Sequence, residues 1–235
     1  MRYRQTVLGA GWAVLRPLLS TLVFTVVFGR MAKLPSEGAP YALFALSGVL
    51  PWTFFSSAVA GAGESLVGSQ HLVSKIYFPR LLIPLSVFGS SLVDLVVGAV
   101  VLAGLALFYG FGVGSGWLLL PALVLLLILS SLGIGTLFAA LNVTYRDVRH
   151  LVPYALQVWL YATPVVYPPA LFPDRWRWLL YLNPVAGPVE AFRAMALGRG
   201  LDLPGVGVSL LSSLLLLALA LAYFGRVERR FADVI

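Results

Sequence analysis

Few side chains in this sequence are able to do chemistry, and their spacing decides which kind. Asp94 lies in the middle of an apolar run, with Ser86, Ser90 and Gly98 at intervals of four residues. That interval puts all four on one helix face, as a small and polar stripe. A carboxylate near mid-membrane costs about 2.5–3.5 kcal/mol on insertion scales, so it faces protein or water. Two uses fit it: a proton site or polar pathway, or a hydrogen-bonded contact between helices. Arg16 is a second charge inside an apolar run and precedes Pro17. Proline disfavours helix at the residue before it and suits the first helical turn. Arg16 then either snorkels to the inner headgroups or faces a polar conduit. His71 and His150 stand alone and cysteine is absent, so no metal donor set is expected. There is no G-x-x-x-x-G-K-[ST] phosphate loop, no H-E-x-x-H and no G-x-S-x-G. The expectation is a chain that is not an enzyme and has no ATP-hydrolysing machinery of its own.

Aromatic residues form the other chemical group. Trp52, Phe54, Phe55, Tyr154, Trp159, Tyr161, Tyr167, Trp176, Trp178 and Tyr181 crowd certain levels of the chain. Trp and Tyr at the ends of apolar runs make an interfacial belt. Trp159 and Tyr161 instead fall inside a run, beside Thr163-Pro164. Their rings fit either a packed core or a passage whose aromatic faces stack on the C–H faces of a sugar.

The elements that carry these residues follow from hydropathy. The chain is 60% hydrophobic and only 11% charged, against about 25% charged in a soluble domain. A helix needs about 20 apolar residues to cross the hydrocarbon core. Six runs qualify as spans: 8–29, 41–63, 81–108, 117–141, 151–167 and 204–225. Leu- and Val-rich stretches without alternation favour helices over barrel strands. The expected fold is therefore an all-α integral membrane domain over residues 1–235. The net charge of +7 reads as topology signals and contacts with anionic membrane lipids, not as nucleic-acid binding. Arg2, Arg4, Lys75, Arg80, Arg146, Arg149, Arg226, Arg229 and Arg230 fall in short segments on one side. This bias places both termini inside.

Three connections remain. The inner loop 64–80, "ESLVGSQHLVSKIYFPR", has the pattern of a short amphipathic helix, suited to a partner's groove or to the lipid surface. The second inner loop, "ALNVTYRDVRHL", clusters Tyr145, Arg146, Asp147 and Arg149 as a solvated charge run. The outer stretch 168–203 is too charged to span and too apolar to float in water. Short interfacial or re-entrant helices resolve that conflict where protein or a water-filled cavity covers them.

These segments together resemble a known family. "RYRQTVLGAGWAVLRPLLSTLVFTVVFGRMAKLPSEGAPY", "KIYFPR", "NVTYRDVRHLVPYALQVWLYATPVVYP", "LNPVAGPVEAFRAMALG" and "FGRVERRFADVI" occur in the order found in ABC-2 type permeases, in the branch exporting O-antigen, capsule and teichoic acid. The resemblance covers essentially the whole chain. It implies a homodimeric permease of the bacterial cytoplasmic membrane, which moves a lipid-linked glycan outward and binds one ATPase subunit per copy. It implies no cofactor on this chain, with ATP and magnesium on the partner. It makes 64–80 the coupling helix, with Glu64, His71, Lys75, Tyr77, Phe78, Pro79 and Arg80 as contacts. It favours Trp159 and Tyr161 as passage residues, with Trp52, Phe55, Tyr154 and Tyr167 as further candidates. Export of a small lipid or drug by the same fold, and proton-coupled transport through Asp94, are the alternatives. Relatives usually carry an amphipathic segment before "RYRQ", and commonly have Asn or Gln in place of Arg16; the first difference implies a truncated start or a missing helix.

Overall fold

The computed structural model describes residues 11–71, 78–145 and 147–228. All regular structure among them is helical. Helix α1 (Gly11–Phe24) runs into a π-helical segment, Thr25–Met31. α2 is Tyr41–Gly68, α3 is Leu82–Phe108 and α4 is Leu120–Thr144, the last entered through a 3₁₀ turn at Ser115–Leu119. α5 is Val148–Ala162. Two short helices follow, α6 (Asp174–Tyr181) and α7 (Ala186–Ala196), and then α8 (Leu203–Val227).

α2 is the hub. Its residues are apolar around the whole circumference, which is the signature of a helix surrounded by others. α3, α4, α7 and α1 pack against it, and Leu43, Phe44, Leu46, Phe55 and Val59 are fully buried. Pro51 lies inside it and removes one backbone donor. Nearby hydroxyls bond back to the helix: Ser47 Oγ donates to the Phe44 carbonyl at 2.8 Å and Thr53 Oγ1 to Val49 at 2.8 Å. α4 and α8 approach at backbone distance, because a Cβ on Gly133 would lie 2.8 Å from the Leu217 amide nitrogen. Small residues at such crossings drive helix association in lipid.

Among the described residues, five helical segments have the length and hydropathy to cross a bilayer: Val14–Met31, Tyr41–Gly68, Leu82–Phe108, Ser115–Thr144 and Leu203–Val227. α5 has 15 residues and rises about 22 Å, short of the roughly 30 Å hydrocarbon core. It ends at Thr163-Pro164, since proline pushes the preceding residue out of helical geometry; Thr163 is extended, φ −104° and ψ 139°. Leu19, Leu22, Val93, Val96, Val100, Leu211 and Leu215 are exposed along α1, α3 and α8. So much uncovered apolar surface belongs in lipid or against another chain.

The small-residue stripe on α3 is not one continuous contact. Gly98 meets α2, where a Cβ would come within 2.2 Å of Leu50 Cδ1. Ser86 and Ser90 are exposed instead and donate to their own helix at Ile83 and Val87.

Candidate functional site

The stretch 168–203 packs into the bundle through α7. α7 packs on α2, α4 and α8, and polar side chains satisfy the irregular backbone around it. The break after α5 leaves carbonyls without helical partners. Arg193 of α7 takes two of them: Nη2 donates to Pro164 at 2.8 Å and to Val165 at 2.7 Å. Its other terminal nitrogen donates to Glu190 Oε1. The guanidinium also lies 3.9 Å from the centre of the Phe44 ring on α2, in cation–π contact. Arg193 is 1% exposed. Gly48 makes room for it, since a Cβ there would lie 2.4 Å from the Val165 oxygen and 2.9 Å from Arg193 Nη2. Burial pushes the Glu190 carboxyl up to about 7; the Arg193 charge opposes that rise.

Serines complete the network. Ser209 Oγ of α8 lies 3.0 Å from the Tyr181 carbonyl, to which it donates, and accepts from the Gly187 amide at 3.0 Å. Ser130 Oγ of α4 lies 2.9 Å from the Pro184 carbonyl and 2.9 Å from Ser213 Oγ. Tyr41 donates to the Val166 carbonyl at 2.6 Å. Non-helical backbone at membrane depth is tolerated where protein covers it in this way.

The aromatic candidates separate into two groups. Trp52 and Phe55 are buried in the bundle, with ring centres 5.4 Å apart. Phe55 meets Trp159 edge to face at 5.5 Å. Trp159 Nε1 donates to Asn183 Oδ1 at 3.0 Å, and Asn183 Nδ2 donates to Thr163 Oγ1 at 2.8 Å. Tyr154 and Tyr161 are exposed on α5, and Tyr167 donates to the Tyr161 carbonyl at 3.0 Å. Between α5 and α6 lies a cavity of about 460 Å³, lined by Trp159, Phe172, Trp176, Leu179 and Asn183 among others. The indole N–H of Trp159 and the Asn183 amide are already engaged there. The cavity therefore offers ring faces and apolar surface rather than hydrogen bonds.

Around the connection between α2 and α3, Glu64 and His71 are exposed, and Pro79 is exposed just before α3. Phe78 packs beside Leu66, Ile83, Val143 and Phe224. Arg80 Nη1 donates to the Glu228 carbonyl, tying the start of α3 to the end of α8; basic side chains commonly complete helix C-termini this way. Lys75 and Tyr77 of the first inner segment, and Arg146 of the second, lie outside the described residues. Tyr145, Asp147 and Arg149 are exposed. Arg16 and Asp94 line one cavity of about 30 Å³ between α1, α2 and α3, together with Trp12, Thr53, Ser57 and Ser91. That is space for one or two waters with several polar partners. The two charges thus border one polar cavity.

Glu190, Arg193, Asn183, Asn142 and Ser209 are functional candidates that sequence reasoning passed over. Their signals were present: Asn142 opens "NVTYRDVRHL", while Asn183, Glu190 and Arg193 stand in "LNPVAGPVEAFR". An acid and a base three apart inside an apolar stretch already imply a buried pair.

Residues 1–197 match the family described as ABC-2 type transporter. An O-antigen export system permease protein of Klebsiella pneumoniae is 27% identical over 237 residues, covering 100% of this chain and 90% of the relative. One of the same description from Myxococcus xanthus is 32% identical over 196 residues, covering 83% and 75%. A polysialic acid transport protein of Escherichia coli is 26% identical over 222 residues, covering 93% and 84%.

Proposed function

Because this chain belongs to the ABC-2 type transporter family, we propose that it is the membrane subunit of an exporter that moves a lipid-linked polysaccharide outward, driven by ATP hydrolysed on a separate subunit. The observation that carries the reading is likeness along nearly the whole chain to permeases named for export of O-antigen and transport of polysialic acid. In this reading the chain crosses the cytoplasmic membrane six times with both ends inside. The short helix α5 and the turn after it make the fifth crossing. Two copies form the passage between them, and each binds one ATPase subunit, which holds the ATP and its magnesium. Residues 64–80 receive the ATPase, beside Tyr145, Arg146, Asp147 and Arg149. The exposed Tyr154 and Tyr161 on α5 face the passage, and Trp52, Phe55 and Trp159 form its wall. ATP binding favours one of two packings of the dimer, so the cycle alternates a closed and an open passage.

The test is co-expression with a candidate ATPase subunit from the same genome, purification through a tag on one subunit, and analysis of surface glycan in a deletion strain. The expected results are co-purification and loss of surface glycan. Absence of both refutes the reading.

One observation favours a second reading, export of a small lipid or drug. The cavity between α5 and α6 is almost wholly apolar and its polar groups are committed. Lipid-linked glycan accumulating inside the deletion strain supports the first reading. Drug sensitivity with normal surface glycan supports the second.

A further inference from the structure

The inner ends of α2 and α4 are joined by a hydrogen bond that apolar packing does not require. Asn142 is 5% exposed, and its Nδ2 donates to the Gly63 carbonyl at 2.9 Å. A helical carbonyl has a second lone pair free for such a donor. An apolar side chain would pack at this position without any need for a partner. Gly63 immediately precedes Glu64, and α2 continues from there to Gly68. Asn142 stands in the last turn of α4, just before Tyr145 and the second inner loop. Glu64 and Arg149, with Asn142, Val152 and Pro153, line a cavity of about 10 Å³ at the same place, space for about one water. The start of the first inner segment, the end of α4 and the start of α5 therefore border one small cavity, and Asn142 is the side chain there that bonds from α4 to α2.

We infer that Asn142 is a positioning residue, through which displacement of the segment beginning at Glu64 is passed to α4 and the second inner loop. The inference rests on the proposed docking of an ATPase subunit at residues 64–80. Close packing along α2 and α4 already resists sliding, and the hydrogen bond adds a directional tie at their inner ends, where the two loops begin. Movement of α2 along its axis then carries α4 with it.

The test uses the permease purified with its ATPase and reconstituted into vesicles, measuring ATP hydrolysed and glycan exported in the same sample. Asn142→Leu is expected to assemble and to hydrolyse ATP at the wild-type rate. Its export per ATP falls roughly three- to tenfold, the range set by losing one such bond. A merely structural role would change yield and leave that ratio alone. Gly63→Ala keeps the carbonyl, and its added Cβ lies 3.4 Å from Phe138 Cβ, an ordinary contact; it is expected to export normally. Where Asn142→Leu does not assemble, Asn142→Ala serves instead. A wild-type export ratio in the assembled Asn142 variant overturns the inference. Failure of the wild-type subunits to co-purify refutes the docking reading instead, and it is seen before any variant is made.

Discussion

Replacing Arg193 with methionine tests the outer network most directly. The substitution removes both donors to the Pro164 and Val165 carbonyls, the bond to Glu190 and the contact over Phe44. Glu190 is the lesser loss. Its carboxyl already titrates near 7, and without the guanidinium it takes up a proton instead of remaining a buried anion. The two carbonyls have no such escape. Each stranded acceptor costs about 1–3 kcal/mol, and an unfolded state still in lipid finds other partners, which favours the lower half. The expected loss is about 3 kcal/mol, close to the low end of the cost of breaking a buried pair. Arg193→Lys keeps the charge but, as a point donor, cannot span two carbonyls and the carboxylate as the planar fork does; it should fall between methionine and wild type. Glu190→Gln keeps an acceptor for Arg193 and should cost least. The assay is the fraction of purified protein that stays monodisperse in detergent after heating. Glu190→Gln as damaging as Arg193→Met would show that charge pairing, not carbonyl capture, holds α7 in place.

Further outcomes follow from the same packing. The raised Glu190 carboxyl means that the folded state binds more protons than the unfolded state between pH about 4.5 and about 7. Its contribution is thus intact below the unfolded value and lost as pH rises through the folded one, and Glu190→Gln should remove that component of the heat-stability profile. Gly133→Ala forces a Cβ to 2.8 Å from the α8 backbone and should cost about 1–3 kcal/mol; Gly104→Ala, with nothing within 4 Å, should be neutral or slightly stabilising by the same heating assay. Trp159→Phe keeps a ring against Phe55 and should cost about 1 kcal/mol for the lost N–H bond. Trp159→Ala should cost about 3–5 kcal/mol and lower surface glycan far more, as read by thermal stability and a glycan blot.

What was legible in the sequence was the part governed by local composition. Long apolar runs must be helices in lipid, because no other open structure satisfies its own backbone there; α2, α3, α4 and α8 lie where those runs are. The mixed stretch 168–203 was legible as a conflict, and its two short helices, α6 and α7, are the resolution. Pro164 was passed over as a stop: by hydropathy the fifth run extends to 167, whereas α5 ends at Ala162. Arg193 was legible only as a base three residues from an acid in an apolar stretch; its role was not, because only the approach of α7 to the broken end of α5 gives it two carbonyls to hold. The same holds for Asn142, whose partner Gly63 lies 79 residues away, and for Arg16 and Asp94, which share a cavity only because α1 and α3 both lean on α2. Hydrophobicity is additive along a chain, so the sequence by itself determined that this protein lives in a membrane as helices. Hydrogen bonds and ion pairs depend on ångström-scale distances between segments far apart in the chain, so only the tertiary structure decided which polar residues work together.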